Sequence, residues 1–572
     1  MGEGEEPKSK WKAFVPTAQW FPDYRPGWLG PDLVAGVTLA AYAIPVSLAY
    51  AGLAGLPPQV GIYGYMLGGV GYALFGSSRQ LAVGPTSAIS LMVGGTLAQM
   101  AGNDAVLYGQ IATLAGFTVA ALSILAFALR LSALTNFISE TILLGFKAGA
   151  GLTIASTQLA AFFGVPGGGD NFFERVFKVG AQLGLGQINP AIAIVGSTAL
   201  ALLIAGQRYL PGRPTALMVV ALSIAAVTFT PLGELSLVLV GSVPAGLPHL
   251  SLPTIRPRDV DELLPLAFGC VLLAYIEGVS AARTFAAKHG YTLDARQELL
   301  GLGGANLLAA LGGGYPVAGG LSQSAVNDKG GAKTPMALVF ASLALALCLV
   351  FLTDLVRNLP KAVLAAIVLV AVSGLINLKE MIHLRRVSRF EFRVVMVAFW
   401  GVLLLGILKG VLLAAILTVL ALLGRAAQPN VAFLGRIPNT RRFYDQAGNP
   451  DIEPIPGVLI YRVEASLLYF NADNVRQAIL ARVRTDKPRL VIGDLSNSPL
   501  VDLTGVRMLA KLSADLTDCG AVLRLAEIRG ETRDLLRAEG LEKHFGSIDR
   551  FTSVADALEQ FEADQQLKKI AL

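Results

Sequence analysis

The sequence predicts an α-helical polytopic membrane domain followed by a smaller α/β domain. Hydrophobic residues make up 54% of the 572 residues and charged residues 15%, whereas a soluble domain carries about 25% charged residues. Mean hydropathy is +0.59. The charge is uneven, because 38 of the Asp, Glu, Lys and Arg residues lie in residues 441–572. We therefore expect a bilayer domain of about 430 residues and a soluble domain of about 130.

Composition also excludes several classes of function. The net charge of +6 is explained by Lys and Arg that flank apolar segments, so we expect no nucleic-acid partner. The three cysteines, Cys270, Cys348 and Cys519, form no CxxC pair, so no disulfide framework and no metal site is expected. The four histidines are scattered and no phosphate loop or nucleophile motif is present, which argues against an enzyme and against a cofactor. The first residues lack the apolar core of a signal peptide.

Apolar runs of the length that crosses a bilayer predict fourteen transmembrane segments. They lie near 33–51, 59–76, 84–100, 108–129, 137–161, 187–206, 213–230, 262–282, 297–313, 321–328, 335–354, 360–377, 391–408 and 410–426. With this count, fourteen Lys and Arg residues fall in loops on one side and seven on the other. The excess predicts cytoplasmic N- and C-termini in the plasma or inner membrane and an external loop at 162–180.

Two glycine-interrupted apolar segments occupy matching places in the two halves, Leu81–Ser87 and Pro316–Gln323. Such pairs are the sequence feature that best indicates a transporter's binding site at the membrane midplane. Pro45 precedes the first segment and Glu277 precedes the second at nearly equal spacing. Seven spans in each half therefore predict a 7+7 inverted repeat, with repeats at about 31–230 and 260–428. The alternative is that these are ordinary glycine and proline kinks of membrane helices.

The pattern changes to that of a soluble α/β domain near residue 438. Strands are predicted at 457–463, 489–495 and 521–526, with helices at 473–485, 504–518 and 531–538 between and after them. We expect a small sheet covered by helices. The predicted organisation is an N-terminal cytoplasmic segment at 1–30, a transporter domain at 31–430, a linker at 431–452 and the α/β domain at 453–566.

Ordered motifs along the chain resemble the SulP family of anion permeases. They are Asp32–Val37, Leu48–Pro58, Gly61–Tyr63, Asn136–Ser139, Ser324–Asn327, Gly331–Thr334 and Leu359–Leu364. The tail is similar to a STAS domain. The resemblance implies a core domain that moves against a gate domain, a homodimer in the bilayer, and a STAS domain that binds a regulatory protein or a nucleotide. Its members carry sulfate, bicarbonate, chloride, oxalate or dicarboxylates, and some are coupled to H⁺ or Na⁺.

The chain departs from the family pattern at two positions near the expected site. Val46 follows Pro45 where members often have Gln, and Gln323 follows Ser322 where members often have Arg. Without that arginine, the N-terminal ends of two half-helices could hold an anion through free N–H groups and helix dipoles. The expected substrate-binding residues are Pro45, Val46, Thr86, Ser87, Gly320, Leu321, Ser322 and Gln323. For the hydroxyl residues, helix capping is the alternative interpretation.

Three further residues carry specific expectations. Glu277 lies within an apolar span, where an unpaired carboxylate is costly, and the resemblance places it at the position linked to ion coupling. Its alternative role is structural. Lys147 is a second intramembrane charge that could supply a positive field, pair with a carboxylate or extend to the interface. Thr504 lies in the segment Ser498–Gly505, which resembles the loop that carries a phosphorylated Ser or Thr in soluble STAS proteins. The resemblance implies that Thr504 is a regulatory phosphorylation site, and an N-cap is the alternative.

These observations predict secondary active transport of a small inorganic anion, sulfate or bicarbonate by preference, coupled to H⁺ or Na⁺ by alternating access. A passive anion channel, an exchanger and a dicarboxylate transporter are the alternatives that keep the same fold. A signalling role, with the membrane domain as a sensor for the STAS domain, and nucleobase transport are further alternatives.

Overall fold

The computed structural model describes residues 16–570 except 103, 133–139, 170, 211–213, 232–235, 242–243, 245, 251, 254–256, 352, 546–547 and 550–551. The Asn136–Ser139 motif and the first fifteen residues of the predicted N-terminal segment lie outside the described residues. The chain divides into two compact units, Met1–Thr418 and Val419–Leu572.

The first unit is a bundle of helices with one short pair of strands. Its elements in chain order are α1 (Thr17–Trp20), α2 (Pro26–Leu53), α3 (Pro58–Phe75), β1 (Val83–Gly84), α4 (Ser87–Ala101), α5 (Ala105–Ala128), α6 (Glu140–Phe163), α7 (Phe172–Gly184), α8 (Pro190–Tyr209), α9 (Thr215–Phe229), α10 (Pro257–His289), α11 (Ala295–Leu311), β2 (Ala318–Gly319), α12 (Leu321–Lys329), α13 (Met336–Phe351), α14 (Thr353–Val356), α15 (Lys361–Ser373), α16 (Leu378–Val387), α17 (Arg389–Leu405) and α18 (Ile407–Ala427), whose residues from Val419 onward belong to the second unit.

A helix lies at each position where the sequence predicts a span. Among the described residues, six helical stretches are long and apolar enough to cross a membrane: α2, α5, α6, α8, α10 and the stretch Lys361–Val387 that comprises α15 and α16. The apolar helices α4, α9 and α13 are shorter. Two elements lie where loops are expected, since α7 begins inside the predicted external loop 162–180 and α16 lies between the predicted spans 360–377 and 391–408.

The helices of the first unit pack in two groups. We call α2, α3, α4, α5, α10, α11, α12 and α13 the core group, because α11 packs against α3 and α5, and α13 against α2 and α3. We call α6, α8, α9, α15 and α17 the gate group, in which α6 packs against α15 and α17, and α15 against α8. Contacts of α2 with α15 and α9, and of α4 with α6, join the groups. A boundary between two helix groups therefore runs along α2 and α4.

The strands β1 and β2 pair across the two halves of the sequence. They are antiparallel, with Val83 opposite Gly319 and Gly84 opposite Ala318. In each half a core helix leads into the strand, and a half-helix leaves it, α4 after β1 and α12 after β2. Because the strands are antiparallel, α4 and α12 begin close together and point their N-terminal ends toward the same region.

The second unit is an α/β sandwich. Its elements are β3 (Val431–Arg436), β4 (Phe443–Asp445), β5 (Val458–Val463), α19 (Ala472–Asp486), β6 (Leu490–Asp494), α20 (Leu503–Asp518), β7 (Val522–Ala526), α21 (Gly530–Ala538), α22 (Glu542–Phe545) and α23 (Val554–Ile570). The strand order is β4-β3-β5-β6-β7. Strands β5, β6 and β7 are parallel, while β3 runs antiparallel to β4 and β5.

Apolar side chains cover both faces of this sheet. Val475, Ile479 and Leu509 from α19 and α20 pack on one face, and Leu558 of α23 packs with Ala432 and other strand residues on the opposite face. The three predicted strands and three predicted helices are present. Residues 431–452, which the sequence predicts as a linker, contain β3 and β4 and so contribute to this sheet. Alternate side chains of β3 enter opposite faces, as in any strand of a covered sheet.

Candidate functional site

A cavity of about 190 Å³ lies where the core group meets the gate group. The core group contributes residues of α2, α4, α10 and α12, and the gate group contributes residues of α6 and of α15 with the turn after it. The lining residues are Tyr42, Val46, Tyr50, Pro85, Thr86, Ser87, Ala88, Phe146, Lys147, Ala150, Glu277, Ser280, Ala281, Thr284, Gly320, Leu321, Ser322, Gln323, Ala371, Gly374 and Leu375. Two charged side chains, Glu277 and Lys147, are among them.

Thr86 stands at the N-cap position of α4. Its backbone is extended, and its side chain makes no capping hydrogen bond. The Thr86 Oγ1 atom is buried and has no hydrogen-bond partner among the described residues. Ser87 follows at the first helical position and also lines the cavity. The capping alternative therefore does not describe the Thr86 side chain, and Thr86 lines the cavity.

The second half-helix, α12, has a glycine as its N-cap. Gly320 has an extended backbone and offers no side chain. Leu321 and Ser322 are exposed to the cavity, while Gln323 is buried. The Gln323 Nε2 atom donates to the Ala318 carbonyl oxygen at 3.0 Å. Gln323 thus braces the turn from β2 into α12, a use of its amide that the sequence did not predict.

One face of α2 also lines the cavity. Tyr42, Val46 and Tyr50 are four residues apart and therefore lie on the same side of the helix. Pro45 is buried inside α2 and is not one of the lining residues. Since proline has no N–H, it leaves the carbonyl of Ala41 without its usual helical partner. Pro45 alters the helix beside the cavity, and Val46 is the residue of this pair that lines the cavity.

Glu277 and Lys147 face the cavity from opposite groups. Glu277 is on α10 of the core group, and Lys147 is on α6 of the gate group. Lys147 is the cation whose field acts on the Glu277 carboxylate. Both side chains are half-buried. Lys147 therefore lines the same cavity as the Glu277 carboxylate, which is the position that its predicted role as a positive field requires.

Buried polar side chains fix the strands that present the two half-helices. The Asn306 amide accepts from the Val317 N–H at 2.9 Å and donates to the Val317 carbonyl at 3.0 Å. The Ser324 Oγ atom accepts from the Ala82 N–H at 2.9 Å, and Asn327 donates to the Gln80 carbonyl. Asn306, Ser324 and Asn327 are fully buried. These residues hold α12 and the Leu81–Ser87 segment in one fixed arrangement.

A second cavity, of about 640 Å³, leads to the first. The two share Tyr42, Val46, Ser322, Ala371 and Gly374 as lining residues. Val34 and Thr38 continue the same face of α2 toward its N-terminal end, and Lys329 lines the cavity at the C-terminal end of α12. The site is therefore reached from the end of the bundle at which α2 begins.

Several lining residues were not predicted from the sequence. Tyr42 and Tyr50 are one helical turn from Val46, and Ser280 and Thr284 are one and two turns from Glu277. Their helical spacing from Val46 and Glu277 could have identified them as lining residues, because residues three or four apart share a face of a helix. The gate residues Phe146 and Ala371 carry no comparable signal, since they come from separate segments.

In the second unit, Thr504 is exposed at the second position of α20. The N-cap of that helix is Asp502, whose carboxylate accepts from the Gly505 N–H at 2.8 Å. The N-cap alternative for Thr504 is therefore wrong, and its hydroxyl is accessible.

The model of the sulfate permease family matches residues 29–398, and that of the STAS domain matches residues 449–557. The chain is 33% identical over 551 residues to a probable sulfate transporter of Mycobacterium tuberculosis, covering 96% of this chain and 98% of that protein. It is 31% identical to the chloroplastic sulfate transporter 4.1 of Arabidopsis thaliana, covering 95% of this chain and 82% of that protein.

Solved structures share the fold. The murine solute carrier 26 family member A9 anion transporter, in the inward-facing state, superposes with a TM-score of 0.87 at 24% identity, covering 98% of this chain and 96% of that chain. The transmembrane domain of a cyanobacterium bicarbonate transporter matches with a TM-score of 0.59 at 22% identity, covering 69% of this chain and 98% of that domain. The fold is the inverted repeat with a C-terminal STAS domain that the sequence predicts. The chain belongs to the sulfate permease family, whose members are membrane anion transporters and not enzymes.

Proposed function

We propose that this protein is a secondary active transporter of a small oxyanion, sulfate or bicarbonate, coupled to H⁺ by alternating access. The observation that carries the proposal is the cavity between the core and gate groups, toward which the N-termini of α4 and α12 point and which Glu277 and Lys147 line. The relatives named as sulfate transporters and the bicarbonate transporter domain support the choice of anion.

The binding chemistry rests on donors without a fixed arginine. Two helix N-termini offer free N–H groups and the positive ends of their dipoles, a common arrangement for anion binding. The free hydroxyl of Thr86 and the exposed Ser322 add side-chain donors. Lys147 is the cation among the lining residues. An anion that accepts hydrogen bonds on every oxygen satisfies all of these groups at once.

Coupling follows from the opposite charges of Glu277 and Lys147. When Glu277 is ionised, the two side chains compensate each other and the cavity has little net charge. When Glu277 takes a proton, Lys147 is left uncompensated and favours the entry of an anion. Proton and anion therefore favour each other's binding, which is the thermodynamic requirement for symport. Because the two residues lie on different helix groups, relative movement of the groups changes their separation.

The second cavity supports a conformation in which the transport site is open to one side of the membrane. It joins the site to the end of the bundle at which α2 begins. If the N-terminus is cytoplasmic, as the distribution of Lys and Arg predicts, this opening faces the cytoplasm. We propose that both termini and the STAS domain are cytoplasmic, that the protein lies in the plasma or inner membrane as a homodimer, and that the STAS domain is regulatory, with Thr504 as a phosphorylation site.

The test is uptake by the full-length protein in proteoliposomes with an imposed pH gradient, with and without Na⁺. The wild type should accumulate labelled sulfate or bicarbonate when the outside is acidic. Glu277→Gln mimics the protonated carboxyl, so it should lose gradient-driven accumulation and retain counterflow exchange. Asp261→Asn is the matched control, because Asp261 is an exposed acid on the same helix and does not line the cavity.

Each outcome separates a different alternative. Accumulation by Glu277→Gln on a proton gradient would show that Glu277 is structural and that another group, with Lys147 as the first candidate, carries the proton coupling. If the wild type never accumulates the anion beyond its electrochemical equilibrium, the result would support a passive channel and contradict the proposal.

A further inference from the structure

A third cavity, separate from the transport site, lies at the end of the core group where α2 and α11 begin and α3 ends. Its volume is about 420 Å³. The lining residues are Pro16, Trp20, Asp23, Trp28, Gly76, Ser77, Arg79, Asp294, Gln297, Lys333, Thr334 and Pro335. None of them lines the transport cavity. The family's transport chemistry therefore does not account for this cavity.

The cavity presents one unsatisfied donor and two cations. The Trp20 Nε1 atom is buried and has no hydrogen-bond partner in the part of the chain that the structure describes, although a buried indole N–H usually finds an acceptor. The short helix that carries Trp20 is anchored, because Thr17 donates to the carbonyls of Ala73 and Leu74 at the end of α3. An acceptor supplied by a ligand would satisfy this N–H.

Arg79 and Lys333 supply positive charge from two separate loops. Both are exposed, and the Arg79 guanidinium lies 5.1 Å from the centre of the Tyr291 ring, which limits its positions. Of the two acids, Asp294 is already used as the N-cap of α11, accepting from Arg296 and Gln297. Asp23 remains at the rim as an acceptor. A ligand with an anionic group and one or more hydroxyls would match these partners.

The surroundings resemble the boundary between water and hydrocarbon. Trp20 and Trp28 line the cavity, and tryptophan is enriched at membrane interfaces. Phe21, Leu29 and Leu33 are about half-exposed, at 55%, 49% and 47%, on the chain next to these tryptophans. Basic pockets between membrane helices are a known location for lipid head groups.

We propose that this cavity binds a phosphate group, as carried by the head group of an anionic glycerophospholipid or by a soluble phosphate compound. Arg79, Lys333 and the Trp20 N–H bind the phosphate oxygens, and Asp23 accepts from a hydroxyl of the head group. In the lipid case the acyl chains lie along the exposed residues Phe21, Leu29 and Leu33.

The test measures thermal unfolding of the full-length protein in detergent after its lipids have been removed. Three probes are titrated: phosphatidylglycerol, phosphatidylcholine with the same acyl chains, and inorganic phosphate. A ligand that binds the folded state raises the unfolding midpoint. We expect phosphatidylglycerol to raise it and phosphatidylcholine to have little effect. A response to inorganic phosphate as well would identify the soluble source.

Variants connect any response to the cavity. The double variant Arg79→Gln, Lys333→Gln should weaken the apparent affinity for phosphatidylglycerol about tenfold or more, as expected when charge-assisted hydrogen bonds are lost. Trp20→Phe removes the N–H and keeps the ring, and should cause a smaller loss. The control double variant Lys379→Gln, Arg386→Gln removes two exposed cations of α16 that do not line the cavity.

Two results would overturn the proposal. One is the absence of a shift with any probe. The other is an equal loss in the α16 control, which would indicate attraction to diffuse surface charge. Inorganic phosphate bound at the transport site would be recognised because the Arg79 and Lys333 substitutions would leave its effect unchanged. The readout does not depend on transport, so it is independent of the proposed function.

Discussion

Replacing Thr86 with valine tests the anion site directly. Valine has nearly the shape of threonine, but it removes a buried hydroxyl at the N-terminus of α4 for which the described residues offer no hydrogen-bond partner. A hydrogen bond to a charged acceptor contributes about 1.5–3 kcal/mol, which corresponds to a rise of about tenfold to 150-fold in the dissociation constant. Binding should be weakened and not abolished, because the backbone N–H groups of both half-helices remain.

The same change should leave the unliganded protein as stable as the wild type or more stable. An unpaired buried hydroxyl is itself unfavourable, so removing it carries no loss of a protein hydrogen bond. Ser90 on the same helix provides the matched control. Its buried hydroxyl pairs with the Tyr315 hydroxyl at 2.8 Å and does not line the cavity. Ser90→Ala should therefore lower the unfolding midpoint and leave anion affinity unchanged.

Equilibrium binding of labelled sulfate and bicarbonate to the purified full-length variants would measure the first effect, and thermal unfolding without anion would measure the second. The reasoning would be refuted if Thr86→Val bound both anions as tightly as the wild type. It would also be refuted if Thr86→Val lost stability as Ser90→Ala does, because the Thr86 hydroxyl would then have a structural partner.

Three further predictions concern the scaffold, the topology and the soluble unit. Gly84→Ala would place a Cβ atom 2.2 Å from the Tyr65 ring, so it should disrupt the β1–β2 pair and abolish anion binding, whereas Gly95→Ala, with open space around its Cβ, should preserve binding and folding. In a Cys519→Ser background, a cysteine at Lys178 should react with an impermeant reagent in intact cells and one at Asp451 should not; equal labelling would contradict the proposed orientation. Burial and the nearby carboxylates of Asp494 and Asp556 raise the pKa of the Glu527 carboxyl, so its ionised form destabilises the second unit as pH rises through that pKa. Glu527→Gln should therefore raise the unfolding midpoint of that unit at pH 7, and the gain should disappear in acid, where Glu527 is protonated; an equal gain at both pH values would exclude this cause.

The sequence predicted the membrane helices well because hydrocarbon imposes a simple rule on their length and polarity. The two interrupted segments were also recognisable, since glycine and proline stand out within apolar runs. Their pairing was not predicted, because β1 and β2 have two residues each and come from opposite halves of the chain. The roles of Asn306 and Ser324 follow from that pairing and were equally hidden.

Prediction was weaker wherever function depends on the partner of a polar group. The sequence placed Thr86 and Gln323 together as donors, but only Thr86 has a free hydroxyl, while the Gln323 amide is engaged by Ala318. The sequence predicted that the α/β domain begins at residue 453, after β3 and β4, for a related reason. Strand β3 joins the sheet through backbone bonds to β5, and its short alternating pattern follows directly on the apolar helix α18.

The backbone pairing of β1 with β2 has a consequence for how transport depends on the side of the membrane. The Gly320 N–H also donates to the Ala82 carbonyl, so in the proposed mechanism the N-terminal ends of α4 and α12 keep a constant spacing while the gate group moves past them. Their share of the affinity should be the same whether the anion arrives from outside or inside. Any asymmetry between influx and efflux should then originate in the gate-group residues of the cavity, Phe146, Lys147 and Ala371. Substitutions at these three residues should therefore change the preferred direction of transport without changing which anion is carried.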